Sequence, residues 1–214
     1  MRINVGCGKT PTEGWRNLDN SLSLRLAKLG PWGALAHRVG VLNDEQLAFL
    51  QFAQTHKIQY CDATKGLPFA DDSVDVIYSS HMFEHLDQPG ARAFLSEALR
   101  VLEPGGRIRL VVPDIGKLVK EYLQTGDADV LVSATMLAAE APTTFVAKLQ
   151  MSLVGFRGHR WMYDGHSLCR LLSLNGFVDA QIMGVGQTFI VTPDQLDLYE
   201  RDRESTCVEA AKPF

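Results

Sequence analysis

The sequence has little of several features that would indicate a function class directly. Its four cysteines lie far apart and form no C-x-x-C pair. This spacing favours free thiols in a reducing cytoplasm over a disulfide framework. No uninterrupted apolar run approaches the ~20 residues of a membrane-spanning helix. The first residues enter a strand-like run without the charged leader and apolar core of a signal peptide. We therefore expect a cytoplasmic protein without a membrane span.

The charge also lacks a strong bias. The formal net charge is −4 in 214 residues, which gives no overall attraction to nucleic acid, and we expect no nucleic-acid partner. With 46% hydrophobic and 21% charged residues, the composition is that of a globular protein. Its length suits a single domain spanning residues 1–214.

Short apolar runs alternate with amphipathic segments along the chain. This alternation favours an α/β fold with a parallel sheet covered on both faces. A C-terminal hairpin from two strands joined by a Gly-Val-Gly turn follows, and 200–204 is a solvated end. Helical insertions are expected at about 21–56 and 125–160. The predicted strands are 2–6, 15–19, 58–61, 74–79, 107–112, 177–183 and 187–192, and the predicted helices are 90–102, 114–124, 128–153 and 167–174.

Polar residues follow the strands at the points where these end. Gly6 and Gly8 follow the first strand, where glycine lets a backbone approach a ligand closely. Asp19 ends the second strand, where a carboxylate can accept both hydroxyls of a ribose. Asp62 closes the third strand, and Ser79–His81 follow the fourth. Each residue alone is equally typical of a turn. Because ligands bind at the carboxyl edge of open α/β sheets, together they predict one crevice.

The segment 81–85 matches H-x-x-E-H, the signature of inverted zinc peptidases. In those enzymes both histidines lie on one face of a long helix. Here a buried strand runs directly into His81, and Pro89-Gly90 leave room for about one helical turn. This context predicts no metal site, with Glu84 and His85 capping and packing the turn.

Six motifs occur in a characteristic order. They are Asn4-Val5-Gly6-Cys7-Gly8, Asn17-Leu18-Asp19, Asp62-Ala63, a stretch from Leu67 to Ile77, Ser80-His81-Met82-Phe83-Glu84-His85-Leu86, and a stretch from Glu97 to Gly106. In these motifs the chain resembles class I methyltransferases that depend on S-adenosyl-L-methionine (SAM), and in particular their small "type 11" group. The resemblance covers roughly residues 3–115, with a looser similarity at 159–177.

This resemblance implies a three-layer, Rossmann-like sandwich with a mostly parallel seven-stranded sheet. It also implies SAM as cofactor and S-adenosyl-L-homocysteine as product. Asp19 would hold the ribose hydroxyls and Asp62 the adenine amino group, while Ser79–His81 would pass under the sulfonium. The full set of implied cofactor residues is Val5, Gly6, Cys7, Gly8, Asp19, Asn20, Asp62, Ala63, Ser79, Ser80 and His81.

One departure from the family concerns the first connection. Only ten residues separate Gly8 from Asp19, too few for the usual crossover helix. We expect this helix to be shortened or lost and the segment 21–56 to cover that side instead.

The segment 159–164 mixes an imidazole, a guanidinium, an indole, a phenol and a carboxylate. One interpretation is a surface loop that caps the next helix. The other is an acceptor site, with His159 or His81 as general base. His159 is slightly favoured, because cofactor would occupy the space around His81. The predicted substrate-binding residues are Arg160, Trp161, Tyr163 and Asp164.

The function expected from the resemblance is methyl transfer to a small or medium acceptor, at oxygen. A sugar hydroxyl is plausible by family analogy alone. Two other classes stay open: a non-catalytic SAM-binding protein and a NAD-type dehydrogenase. The absent third glycine and Asp62-Ala63 count against the second. Residues 21–38, with Arg25, Lys28, Trp32 and Arg38 among leucines, would suit a membrane surface or a plain lid.

Overall fold

A computed structural model of the chain describes residues 1–21, 24, 35, 37–38, 44–137, 158–199, 201 and 203–214. Within these residues a seven-stranded sheet has the order β3-β2-β1-β4-β5-β7-β6. Its strands are β1 (Arg2–Val5), β2 (Arg16–Asp19), β3 (Gln59–Tyr60), β4 (Val74–Ser80), β5 (Leu102–Pro113), β6 (Val178–Met183) and β7 (Ser205–Ala211). The helices are α1 (Asp44–Thr55), α2 (Gln88–Val101), α3 (Ile115–Thr125), α4 (Ala128–Thr135) and α5 (Gly165–Leu174). A 3-10 turn covers Phe83–His85.

The sheet is parallel from β3 to β5, and β7 runs antiparallel to both of its neighbours. The central strand β4 reads VDVIYSS and is buried over most of its length. A continuous β-branched and apolar run is typical of a parallel strand covered on both faces. The predicted fold class, a mostly parallel Rossmann-like sheet with antiparallel strands at its C-terminal edge, is confirmed.

One face of the sheet is covered by α2 and α5. Phe94 and Leu95 of α2, with Leu168 and Leu172 of α5, are fully buried against it. The Asp87 side chain caps α2 by accepting a hydrogen bond from the Gly90 backbone N–H. This cap fixes where the helix begins, directly after the 3-10 turn.

The opposite face is covered in part by irregular chain. Trp15 and two residues of the β6–β7 connection, Ile190 and Leu196, pack on Val76 and Tyr78 of β4. Apolar side chains outside the helices therefore bury this part of the sheet face.

The first connection has no helix, as predicted. Residues 6–15 link β1 directly to the parallel strand β2. Helix α1 packs nearby, where its Ala53 joins Ile58 and Cys7 in a small apolar cluster. The expectation that part of 21–56 covers this side is confirmed for α1. The membrane-surface prediction for 21–38 lies outside the described residues except at positions 21, 24, 35, 37 and 38.

The predicted strand 187–192 is wrong, and residues 201, 203 and 204 are exposed as predicted but lead into a further strand instead of ending the fold. The partner of β6 is β7, which is almost entirely buried between β5 and β6. Glu209 of β7 accepts hydrogen bonds from the Phe189 backbone N–H and the Thr188 hydroxyl. These bonds hold the preceding segment as a loop, so it forms no ladder with β6.

Two helix ends also differ from the predictions. Helix α2 ends at Val101, and Pro104–Gly106 lie inside β5, where the pairing with β4 is irregular. Helix α4 ends at Thr135, because Met136 adopts a left-handed conformation with φ 51°. The rest of the predicted helix 128–153 beyond residue 137 lies outside the described residues. No helix in the described part of the chain is long and apolar enough to cross a bilayer.

Candidate active site

A cavity of about 630 Å³ opens at the carboxyl ends of β1, β2 and β4. This volume lies within the ~300–1,000 Å³ of small-molecule sites. Parallel strands end at one edge of the sheet, so polar residues far apart in sequence meet there. The predicted cofactor residues that line it are Val5, Gly6, Gly8, Asp19, Asn20, Asp62, Ala63 and His81.

Gly6 allows the chain to turn out of β1 at the cavity wall. Its φ of +75° is one that residues with a side chain rarely adopt. A Cβ at this position would also collide with Cβ and Cγ of Met82. The sequence Gly-x-Gly therefore has a steric reason: the turn from β1 passes directly against the turn that follows β4.

Asp19 is held rigidly by backbone donors. Its Oδ2 accepts a hydrogen bond from the Gly8 N–H at 3.1 Å, and its Oδ1 accepts one from the Ser21 N–H at 2.8 Å. Each carboxylate oxygen can accept a further hydrogen bond. Asp19 therefore presents oriented acceptors to the cavity and also ties the first loop to β2.

Asp62 is held in a similar way at the end of β3. Its Oδ1 accepts from the Thr64 hydroxyl at 2.7 Å, and its Oδ2 pairs with Lys65 Nζ at 3.0 Å. Burial alone would raise the pKa of this carboxyl group. Hydrogen bonds from Thr64 and Lys65 and the charge of Lys65 outweigh burial, so the pKa lies below its usual 3.8. Asp62 is therefore a fixed anion at neutral pH.

Three predicted cofactor residues lie behind the described lining of the cavity. The Cys7 side chain packs with Ala53 and Ile58. Burial, assisted by the charge of Asp19, raises the pKa of its thiol to about 12. The hydroxyls of Ser79 and Ser80 are buried without a hydrogen-bond partner among the described residues.

His81 forms the cavity wall just beyond β4. Its φ is +50°, a strained conformation for a residue with a side chain. Its Nε2 lies 2.7 Å from the hydroxyl of Ser205, the first residue of β7. Burial, together with positive charge on Arg201 and on neighbouring histidines, lowers the pKa of His81 to about 4. The imidazole is therefore neutral near pH 7.

Glu84 lies behind His81 and is the residue that sequence reasoning assigned to packing. Its side chain is 1% exposed, and Oε1 is 3.5 Å from His81 Nδ1, 4.0 Å from His85 Nε2 and 3.8 Å from His159 Nε2. Burial raises the pKa of Glu84 to about 7. The 3-10 turn and the remote residue 159 thus build one buried cluster.

The segment 158–161 is bound to that turn through its backbone. The N–H groups of Arg160 and Trp161 donate to the Glu84 carbonyl at 2.8 and 3.2 Å. The ring of His159 is buried, its Nδ1 is 2.8 Å from the Thr135 carbonyl, and it is absent from the described cavity lining. The structure therefore favours His81 over His159 as the imidazole that meets a ligand, the reverse of the preference drawn from the sequence.

The four predicted substrate residues separate into two groups. Arg160 lines the cavity and its Nη1 lies 3.2 Å from an oxygen of Asp87, whereas Trp161 is 47% exposed outside the described lining. Tyr163 is in the core against Phe83, and Asp164 caps α5. Asp164 therefore fits the interpretation of a loop that caps the next helix, whereas Tyr163 fits neither interpretation, because its side chain is buried in the core.

Sequence reasoning missed several lining residues. Thr64 fits a recognisable pattern, because an aspartate commonly accepts from the backbone N–H two residues later in an Asx turn, as Asp62 does from Thr64 at 3.3 Å. The others had no separate signal, since their positions depend on packing between elements. The missed residues are Ser21, Cys61, Thr64, Met82, His85, Leu86, Asp87 and Gly90.

Comparison with known proteins agrees with this arrangement. Residues 28–110 match the model of a family described as a methyltransferase domain. An uncharacterized methyltransferase of Mycobacterium leprae is 50% identical over 45 residues, which are 21% of this chain and 16% of that protein. One of Mycolicibacterium vanbaalenii is 56% identical over 41 residues, 19% of this chain and 15% of that protein. The matches therefore span less than a fifth of these relatives.

A solved structure extends the likeness to the whole chain. The SAM-dependent methyltransferase of Methanosarcina mazei superposes with a TM-score of 0.53 and 16% identity, covering 100% of this chain and 92% of that one. At this identity the likeness concerns the fold. The family model over residues 28–110 and this fold agree with the resemblance to class I SAM-dependent methyltransferases that the motifs at the sheet edge indicate.

Proposed function

We propose that the protein transfers a methyl group from SAM to a small or medium acceptor, at an oxygen atom. The observation that carries the proposal is the cavity at the sheet edge, where Gly6, Asp19, Asp62 and His81 meet. Its volume and its mixture of fixed carboxylates and exposed backbone suit an adenosine derivative. When bound, SAM supplies an electrophilic methyl group on sulfur.

The protein's part in this reaction is mainly orientation. Asp19 offers oxygens already aligned by the Gly8 and Ser21 N–H groups to the ribose hydroxyls. Asp62, held by Thr64, accepts from the adenine amino group. Because little reorganises on binding, such a site can align a nucleophile with the methyl group, an effect worth up to ~7–11 kcal/mol in favourable cases.

The acceptor would enter beside His81 and Arg160, which both line the cavity. A neutral His81 ring can accept a hydrogen bond from an acceptor O–H and direct its oxygen. Arg160 would carry a polar or anionic part of the acceptor. A sugar hydroxyl fits this chemistry, and that identification rests on family analogy. A cytoplasmic location, no nucleic-acid partner and a single domain over 1–214 belong to the same proposal.

The cofactor half is tested by calorimetric titration with SAM and S-adenosyl-L-homocysteine. Asp19→Ala should weaken binding on the order of 10- to 100-fold, since hydrogen bonds to a charged group contribute ~1.5–3 kcal/mol. Asp72→Ala is the matched control, because Asp72 pairs with Lys212 far from the cavity. Equal affinity in Asp19→Ala and Asp72→Ala would contradict the assignment, and tight NAD binding in place of SAM would favour a dehydrogenase.

The catalytic half is tested by turnover of a panel of hydroxylated acceptors, with sugars among them. His81→Gln should lower kcat at least tenfold with little change in SAM affinity, while His159→Gln should lower it less. SAM binding without methylation of any acceptor would instead favour a non-catalytic SAM-binding protein. Equal turnover in the wild type and His81→Gln would remove His81 from the mechanism.

A further inference from the structure

A buried carboxylate next to the cavity lacks the partners that such a group requires. The side chain of Glu84 is 1% exposed, and neither of its oxygens has a hydrogen-bond partner among the described residues. A buried carboxylate without compensation is strongly unfavourable. Something positive must therefore accompany it, either a proton or a cation.

The histidine nitrogen atoms around Glu84 help to decide between a proton and a metal cation as its partner. His85 Nδ1 lies 3.1 Å from the Gly158 carbonyl, and His159 Nδ1 lies 2.8 Å from the Thr135 carbonyl. Since a carbonyl oxygen only accepts, each Nδ1 carries a hydrogen, and in the neutral ring the Nε2 then holds a lone pair. These Nε2 atoms are 4.0 and 3.8 Å from Glu84 Oε1. Lone pairs and a carboxylate repel one another unless a cation lies between them.

This pattern of ring hydrogen bonds is the usual one around bound metals. Histidine ligands commonly donate the other ring N–H to a carbonyl, which fixes the ring orientation. The backbone adds rigidity, because the Arg160 and Trp161 N–H groups donate to the Glu84 carbonyl and the His159 N–H donates to the Met136 carbonyl. These backbone bonds hold the Glu84 turn and the His159 segment in place before a metal ion binds.

We propose that Glu84, His85 and His159 bind one divalent transition-metal ion of the zinc type. Their ligand atoms, one carboxylate oxygen and two imidazole nitrogens, lie within 4.8 Å of one another. With separations of 4.0, 3.8 and at most 4.8 Å, a point in their plane equidistant from the three atoms is at most about 2.5 Å from each, so the side chains need to close by a few tenths of an ångström to reach the ~2.0–2.2 Å of zinc bonds. Imidazole suits zinc and its neighbours, whereas Mg²⁺ prefers oxygen ligands.

The site also has a route of entry. His85 lines the cavity, so an ion between the three side chains borders the space proposed for the acceptor. His81 also lines the cavity, and its Nδ1 lies 3.5 Å from Glu84 Oε1. The nearby guanidinium of Arg201 acts against a cation here and limits the affinity. This inference does not depend on SAM binding or on methyl transfer.

The proposal differs from the expectation of no metal that the sequence gives, and it keeps the structural reason for that expectation. The strand β4 does run into one short turn, and no peptidase-like helix carries His81 and His85. The third proposed ligand is His159, which lies 74 positions after His85 in the sequence. A local motif cannot reveal a ligand supplied from such a distance.

The test uses the 214-residue protein, stripped with a chelator and then titrated with zinc chloride against a competing chromophoric chelator. One zinc per chain is expected by elemental analysis, and Co²⁺ should give a visible absorption band typical of low-coordinate nitrogen–oxygen ligands. Glu84→Gln and His159→Gln should weaken zinc binding at least tenfold. The control His166→Gln, an exposed histidine on α5, should not. Magnesium chloride should not compete.

Either of two results overturns the proposal: no stoichiometric zinc with no Co²⁺ band in the folded wild type, or equal zinc affinity in Glu84→Gln and His166→Gln. The first would leave a protonated Glu84 as the compensating species. Circular dichroism of each variant separates loss of a ligand from loss of the fold. SAM affinity measured on the same stripped protein keeps this outcome separate from that of the proposed function.

Discussion

The two ends of the sheet are built differently. At the β3 end the strands are short, with four residues in β1, four in β2 and two in β3. At the other end β5 has twelve residues and β7 has seven, and they pair over seven positions. The short-strand end carries the Gly6–Asp19–Asp62 wall of the cavity. The long-strand end carries the buried pair Arg109–Glu209.

This difference indicates a division between scaffold and binding site. Short strands with few ladder bonds open at lower free energy than long buried ones, and binding loops are commonly drawn from such regions. A ligand that binds only the folded state then stabilises the short-strand end of the sheet, which opens at the lower free energy. The carboxylates reflect the same division: Asp19 is fixed by backbone donors at most 11 positions away, whereas Glu209 is fixed by a partner 100 positions away.

The largest loss of unfolding free energy is expected from removing the buried ion pair at the long-strand end of the sheet. Glu209 is fully buried and accepts from Arg109 Nη1 at 2.6 Å, the Thr188 hydroxyl and the Phe189 N–H. Glu209→Ala would leave the Arg109 charge buried without its partner, so urea denaturation should show a loss of about 3–5 kcal/mol in unfolding free energy.

The control for this prediction is Glu204→Ala, because Glu204 is exposed just before β7. Its unfolding free energy should stay within about 0.5 kcal/mol of the wild type. A loss in Glu209→Ala as small as that of Glu204→Ala would show that the pair contributes little to the scaffold.

A smaller loss of stability is expected from a substitution at the short-strand end of the sheet. Gly6→Ala places a methyl group at φ +75° and against Met82, whereas Gly14→Ala has a similar φ of +78° with open space around it. The left-handed conformation costs about 1–2 kcal/mol in both variants, and overlap adds to this only at Gly6. Thermal denaturation should therefore show Gly6→Ala to be the less stable variant, with weaker SAM binding as well. Equal stability of the two would mean that the Met82 contact relaxes freely.

The same division explains how much could be predicted from the sequence. At the cavity end each predicted lining residue follows its own strand, so the local pattern is enough to identify Gly6, Asp19 and Asp62. The lost crossover helix was predicted by counting residues between Gly8 and Asp19. Local sequence is informative here because the carboxyl edge of a parallel sheet gathers strand ends regardless of distant contacts.

At the long-strand end the local sequence pattern predicts the wrong secondary structure. The charged run before Ser205 resembles a solvated tail, and Glu209 makes β7 look unlike a buried strand until Arg109 is known to lie opposite it. The segment 187–192 has the apolar character of a strand, yet its polar groups bond to Glu209. His159 likewise acquires its neighbours only through the folded chain. In each case the deciding contact joins residues far apart in sequence.

The smallest effect concerns thiols at the two ends. Burial raises the pKa of Cys7 and of Cys207 to about 12, with the negative charge of Asp19 adding to the shift at Cys7. At pH 8 roughly one thiol in 10⁴ is then ionised, so alkylation should be slow and should rise with pH, since only the thiolate reacts. In a Cys61→Ser/Cys169→Ser background, SAM should slow alkylation of Cys7, which lies between the cavity-lining glycines, and leave Cys207 unchanged. Asp19→Asn should speed alkylation of Cys7 alone, because it removes the charge that raises that pKa. Mass spectrometry of the two peptides decides the matter: equal protection of both thiols by SAM would mean that the two ends of the sheet open together.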